Sequence, residues 1–224
     1  MNLKYNLLFD KYKIDENIIN YVEKAENNLT ELFSAFDKIR EYNQYKVISA
    51  LQENRLSSTD FFWPTGYGYG DIGRDKVESI FSSIFNTEDS LVRPSIASGT
   101  HAINLVLSGL LKQGDELIEI SGTPYDTLKK VIGVNEGDNE GSLIDRGVLY
   151  SEIPLNSEGD IDVPAVLSAI NERTKVLAIQ RSTGYSSRIA ITIEKMKPVI
   201  EEIKKRHPEL IIFVDNCYGE FTEM

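Results

Sequence analysis

Five consecutive apolar residues, Leu210-Ile211-Ile212-Phe213-Val214, run straight into Asp215 and stop. Such a run has the period of neither an amphipathic helix nor a half-exposed strand. It fits a strand covered on both faces, as in a parallel α/β sheet. The carboxyl end of such a strand projects into the crevice where α/β proteins bind ligands. An Asp placed there has left water and needs a cation or hydrogen-bond donors. A magnesium ion, the turn that follows or the protonated ring nitrogen of a bound heterocycle would each satisfy it.

The preceding chain says which fold that strand belongs to. Strands are predicted over residues 91–96, 116–120, 148–153, 176–180 and 210–214, and helices over 101–111, 125–132, 163–171 and 193–206. This alternation means an α/β fold, a mostly parallel sheet with helices on both faces. The polar stretch 133–147 interrupts it as a long loop, expected to be exposed and to cover a site. Upstream, residues 75–86 form a helix with Val77, Ile80, Phe81, Ile84 and Phe85 on one side. Gly66, Gly68, Gly70 and Gly73 lie too close together for a regular element, so residues 61–74 read as an ordered aromatic loop. Residues 15–55 form two helices, in which Ile18, Val22, Ala25, Leu29, Leu32, Phe33 and Phe36 recur at helical spacing behind an Asp15 cap. This arm precedes every strand, so its apolar face is expected to pack on the main domain or on another subunit. The division is a helical arm over 1–60 and a sheet domain over 61–224.

Composition narrows the class. At 224 residues the chain is long enough for a full core, and 41% hydrophobic with 26% charged residues is ordinary for a globular protein. A net charge of -11 argues against a nucleic-acid or anionic-membrane surface, since both want a basic patch. The single Cys217 excludes an internal disulfide and suits a reducing compartment. No apolar run is long enough to span a bilayer and no basic-then-apolar leader is present, so the expectation is a cytoplasmic protein.

Three strand-end segments converge on the edge that Asp215 marks. Ser98-Gly99-Thr100-His101 follows a predicted strand and opens a helix, where free N–H groups and hydroxyls make an anion site. Capping by Ser98 or Thr100 accounts for the same letters. In Gly122-Thr123-Pro124-Tyr125-Asp126, Tyr125 can stack on a flat heterocycle and Thr123 can donate a hydrogen bond, or the segment is a Pro-led helix start with Tyr125 packed. In Gln180-Arg181-Ser182-Thr183-Gly184-Tyr185, Arg181 can meet an anion and the hydroxyls a ring oxygen, or the segment is a surface turn.

The order of these segments, with Gly66-Tyr67-Gly68-Tyr69, Gly73-Arg74-Asp75 and Val214-Asp215-Asn216-Cys217-Tyr218-Gly219-Glu220-Phe221, resembles the fold-type I pyridoxal phosphate (PLP) enzymes. Within them it is similar to the cystathionine/methionine lyase-like group called aluminium-resistance proteins. The resemblance covers the chain from Phe61 onward. It implies a PLP-dependent transferase-like large domain with Asp215 and Tyr125 as its principal catalytic residues. Ser98, Gly99 and Thr100 would hold the cofactor phosphate and Tyr125 would stack on the pyridine ring. Asp215 would pair with the ring nitrogen, with Tyr218 and Ser182 or Thr183 near the phenolic oxygen. Tyr67 and Arg74 would serve the phosphate site of a neighbouring subunit in a homodimer or homotetramer. Cys217 is expected to be packing rather than a nucleophile.

One departure stands out. In the family a lysine that carries the cofactor follows the Asp by a further strand and turn, whereas Met224 comes nine residues after Asp215. Lys129, Lys130, Lys175, Lys204 and Lys205 fall on predicted helices or a strand start. The small C-terminal domain of the fold is missing too, so the chain is expected to be the N-terminal part of a longer protein. That protein is expected to act on a small-molecule amino-acid substrate, cleaving a carbon–sulfur bond as a cystathionine beta-lyase or methionine gamma-lyase does. An aminotransferase uses the same ring and Asp. A non-catalytic PLP-fold or phosphate-binding α/β domain is the reading outside enzymes, although neither a Rossmann glycine turn nor a Walker pattern occurs.

Overall fold

Asp15 opens the helical arm in the computed structural model, which describes residues 7–63, 69–137 and 139–224. Its carboxylate accepts from the Asn17 N–H at 2.8 Å and so caps α1 (Glu16–Asn28). After a break at Leu29 the arm continues as α2 (Thr30–Glu53). The far end of α2 is anchored, with Ala50 packed on Ile80 and Ile84 of α3 (Ile72–Phe85). The stripe of Ile18, Val22, Leu29, Leu32, Phe33 and Phe36 stays exposed, so the described part of the main domain does not cover it. Helix α3 begins earlier than its periodicity predicts, because Asp71 caps it through the Arg74 N–H at 3.0 Å and draws Gly73 and Arg74 into the first turn.

Four strands, β1 (Glu116–Glu119), β2 (Leu149–Glu152), β3 (Thr174–Gln180) and β4 (Ile211–Asp215), form an all-parallel sheet in the order β2-β1-β3-β4. Successive side chains of a strand point to opposite faces, and here both directions are apolar. Leu117, Val176, Ala178 and Phe213 meet Leu107 of α4 (Gly99–Leu110) and Leu128 and Ile132 of α5 (Asp126–Ile132). Ile118, Leu177, Ile179, Ile212 and Val214 meet Val166 of α6 (Val163–Ala169) and Ile203 of α7 (Ile193–Arg206). Each fully buried Leu or Ile contributes about 2 kcal/mol, so the sheet is held by its two apolar faces as well as its ladders. Among the described residues no helix is long and apolar enough to cross a membrane.

Two expectations fail. Residues 91–96 form no strand. Pro94 removes a ladder donor, the Val92 N–H donates instead to Glu78 Oε1 at 3.0 Å, and Ile96 N–H closes a turn on Arg93 O. The stretch 133–147 is the long and mostly exposed loop expected, but none of its described residues lines the site it was expected to cover. Leu143 and Ser142 are buried and the Leu143 N–H donates to Val131 O at 3.0 Å, binding the loop to the end of α5. Gly133 makes that possible: it turns at φ 99, and a Cβ there would sit 2.3 Å from Ser142 Oγ.

Candidate active site

From β1 the chain steps outward to β2, then returns past β1 to β3, so the strand order reverses between β1 and β3. A crevice outside the carboxyl ends of the strands is expected at such a switch point. One of about 800 Å³ lies there, walled by the first turn of α4, the start of α5 and the ends of β3 and β4. That is the scale of a small-molecule site.

Asp215 is the last residue of β4, in register with Gln180 on β3. It lines the crevice half-buried, and its Oδ1 accepts from the Cys217 N–H at 3.0 Å. Among the described residues no cation forms an ion pair with it. Nor do three His, Cys, Asp or Glu side chains gather anywhere among them to hold a metal. A carboxylate left unpaired in a crevice of this size fits a cationic ring nitrogen.

At α4 the capping reading falls on Ser98, and Gly99 and Thr100 are left for the other. Ser98 is the cap: its Oγ accepts from the His101 N–H at 3.1 Å. Gly99 and Thr100 line the crevice, and helix geometry gives their N–H groups no intrahelical acceptor. A Cβ on Gly99 would meet nothing within 4 Å, so the helix start is open to an anion. Thr100 Oγ1 donates to Thr127 Oγ1 at 2.9 Å.

Tyr125 forms a second wall. Its N–H donates to Gln180 Oε1 at 2.7 Å. Its ring lies 5.2 Å from that of Tyr185 at 32°, with the two hydroxyls 3.1 Å apart. The hydrogen bond that Tyr125 donates to Tyr185, with some burial, holds its phenol above the usual tyrosine range. Ser182 and Thr183 line the crevice beyond β3. Tyr218 reaches the mouth from a left-handed backbone at φ 67, a conformation that costs a non-glycine residue roughly 1 kcal/mol.

Other expectations change. Cys217 is exposed on the crevice wall rather than packed, although burial, then Asp215 and Glu220, push its thiol up and keep it protonated. Arg181 is buried and does not face a ligand. Its guanidinium donates to Ile191 O at 3.0 Å and pairs with Glu223 and Asn216, clamping the segment after β4. Gly219 permits this, since a Cβ there would lie 2.7 Å from Arg181 Nη1. Thr123 donates to Glu152 at 3.2 Å, away from the crevice. Arg74, expected at a neighbouring subunit's site rather than this one, pairs with Asp71 at 3.1 Å. Tyr67 falls outside the described residues. Among the described residues no lysine lines the crevice: Lys129 pairs with Asp126, and Lys204 donates to Pro208 O and Leu210 O.

Beneath the walls lies a polar group that motif reading passed over. Glu119, on the buried strand β1, is 1% exposed and accepts from Ser121 Oγ at 2.5 Å. Burial pushes its carboxyl up to about 8, outweighing the Ser121 hydrogen bonds. Ser121 Oγ in turn accepts from the Gln180 N–H at 2.8 Å. The signal was present in the sequence, because a Glu inside Leu117-Ile118-Glu119-Ile120 raises the same question as Asp215.

An all-parallel sheet of this order, with helices on both faces and its ligand crevice at the switch point, is the α/β large-domain fold of the PLP-dependent transferases. The chain belongs to the methionine gamma-lyase family, whose model matches residues 18–224. A provisionally named cystathionine beta-lyase involved in aluminum resistance from Clostridium acetobutylicum is 41% identical and superposes over 100% of this chain and 53% of its own, with a TM-score of 0.93. A carbon-sulfur lyase involved in aluminum resistance from Clostridium novyi NT is 39% identical over 100% of this chain and 53% of its own, with a TM-score of 0.92. YnbB of Bacillus subtilis is 44% identical over 216 residues, 96% of this chain and 51% of that protein. The chain thus spans about half the length of the most similar of these relatives.

Proposed function

We propose that the protein is a PLP-dependent carbon–sulfur lyase of amino-acid metabolism, acting as a cystathionine beta-lyase or methionine gamma-lyase does. The observation that carries this reading is Asp215, an unpaired carboxylate at a strand end inside a crevice sized for a heterocycle. The names of the two clostridial relatives support it.

When bound, PLP supplies an electron sink for the charge left as a substrate bond breaks. Asp215 would keep a proton on the ring nitrogen. The N–H groups of Gly99 and Thr100, on a helix start capped by Ser98, would hold the phosphate. Tyr125 would cover one ring face, and Ser182, Thr183 and Tyr218 would flank the phenolic oxygen. Across a homodimer or homotetramer, Arg74 and Tyr67 would reach a neighbouring copy's phosphate. The compartment would be the cytoplasm.

The test uses protein from the complete reading frame, purified with PLP. We expect a visible cofactor band and release of sulfide or thiol from sulfur amino acids. Asp215→Ala should keep some cofactor and lose nearly all turnover. Unchanged turnover in that variant, or no band in the parent, would refute the reading.

A further inference from the structure

We infer that Gln180 is the positioning residue of this crevice, holding the Tyr125 wall and the Ser182 wall in register beside the strand end that carries Asp215. The inference rests on the PLP reading for what lies between the walls, and on geometry for the rest. Gln180 is 3% exposed and every polar group it has is used. Its N–H donates to Ser121 Oγ at 2.8 Å, and its carbonyl accepts from Arg188 Nη2 at 2.7 Å. Its side chain then reaches both walls: Oε1 accepts from the Tyr125 N–H at 2.7 Å, and Nε2 donates to Ser182 O at 3.1 Å.

The chemistry of the residue follows from those two bonds. A neutral amide accepts on one side and donates on the other, which neither a carboxylate nor a hydrocarbon can do. The Tyr125 N–H depends on it, because Tyr125 occupies the cap position of α5 and makes no side-chain cap bond of its own. A carboxylate at 180 would also stand in register with Asp215 on the same face, where like charges repel. The amide leaves Asp215 as the single anionic side chain of that register pair, free to meet a cation.

Gln180→Leu removes both bonds, while Gln180→Glu keeps an acceptor for Tyr125 and loses the donor to Ser182. Both variants, and the parent, are made in the complete reading frame with ring-labelled tyrosine. The Tyr125 signal is assigned by its loss in Tyr125→Phe. In Gln180→Leu we expect the Tyr125 signal to move with or without PLP, cofactor affinity to fall roughly tenfold, and the circular dichroism of the cofactor band to collapse. In Gln180→Glu the Tyr125 signal should stay near the parent's while the cofactor dichroism changes. An unmoved Tyr125 signal in folded Gln180→Leu would overturn the inference, as would a Gln180→Glu signal displaced as far as the one expected of leucine. A parent with no cofactor band but a Tyr125 signal that moves in Gln180→Leu would instead overturn the PLP reading and leave the positioning role standing.

Discussion

Gln180 and Asp215 are register partners on neighbouring parallel strands, so an uncharged amide and a carboxylate stand side by side on one face of the sheet. The pair separates charge from shape as the source of any effect at position 215. Asp215→Asn keeps the size of the side chain and an oxygen for the Cys217 N–H. Its stability should lie within about 1 kcal/mol of the parent, while turnover falls by roughly 100-fold or more. Denaturation midpoints and kcat/KM, measured on the same preparations, check both halves.

Glu119 makes stability depend on pH. Its folded-state carboxyl titrates at about 8 against an ordinary value of 4.5, so the folded protein binds that proton more tightly than the unfolded chain. The contribution is fully present below the ordinary value, is lost progressively as pH rises toward the folded value, and is flat beyond. The loss is on the order of a few kcal/mol. Glu119→Gln should remove this slope, bringing urea midpoints at acidic and mildly alkaline pH together. A slope unchanged by the substitution would show that other groups cause it.

Arg181→Met should destabilise the chain by about 3 kcal/mol, because the change strands Glu223 and the Ile191 carbonyl without their buried partner. The loss should concentrate at the end of the chain, and limited proteolysis should cut within 216–224 before it cuts the sheet.

Ser98→Ala removes the cap of α4 and should cost about 1 kcal/mol. Ser98→Asp keeps a cap but sets a negative charge beside the helix start. It should hold stability and weaken binding of inorganic phosphate or PLP, which calorimetry would register.

How far the residues announced this fold depends on how local their causes are. The two-faced burial of Ile211, Ile212, Phe213 and Val214 is written in their unbroken apolar run, and Asp15 and Thr192 mark helix starts by their own side chains. Asp215, Tyr125 and Thr100 were legible because strand ends and helix starts sit where the alternation breaks. Residues 91–96 misled, since Leu91, Val92 and Ile96 look strand-like while Glu78, far away in sequence, takes the donor of Val92. Leu143 hid inside a polar stretch that packs on α5. Gln180 read as an ordinary strand residue because its partner, Tyr125, depends on which strands become neighbours, whereas Glu119 was marked only by standing inside an apolar run.

Strand β4 has one ladder neighbour, β3, and stands at the margin of the sheet among the described residues. Its outward row of N–H and C=O groups follows a β-branched, uncharged sequence, Ile211-Ile212-Phe213-Val214, with no proline or lysine to blunt it. Such an edge is a template onto which another chain can add a strand. The net charge of -11 keeps copies apart at low ionic strength. Salt screens that repulsion while leaving the edge as it is, so residues 1–224 prepared on their own should self-associate more in concentrated buffers than in dilute ones, as light scattering would register.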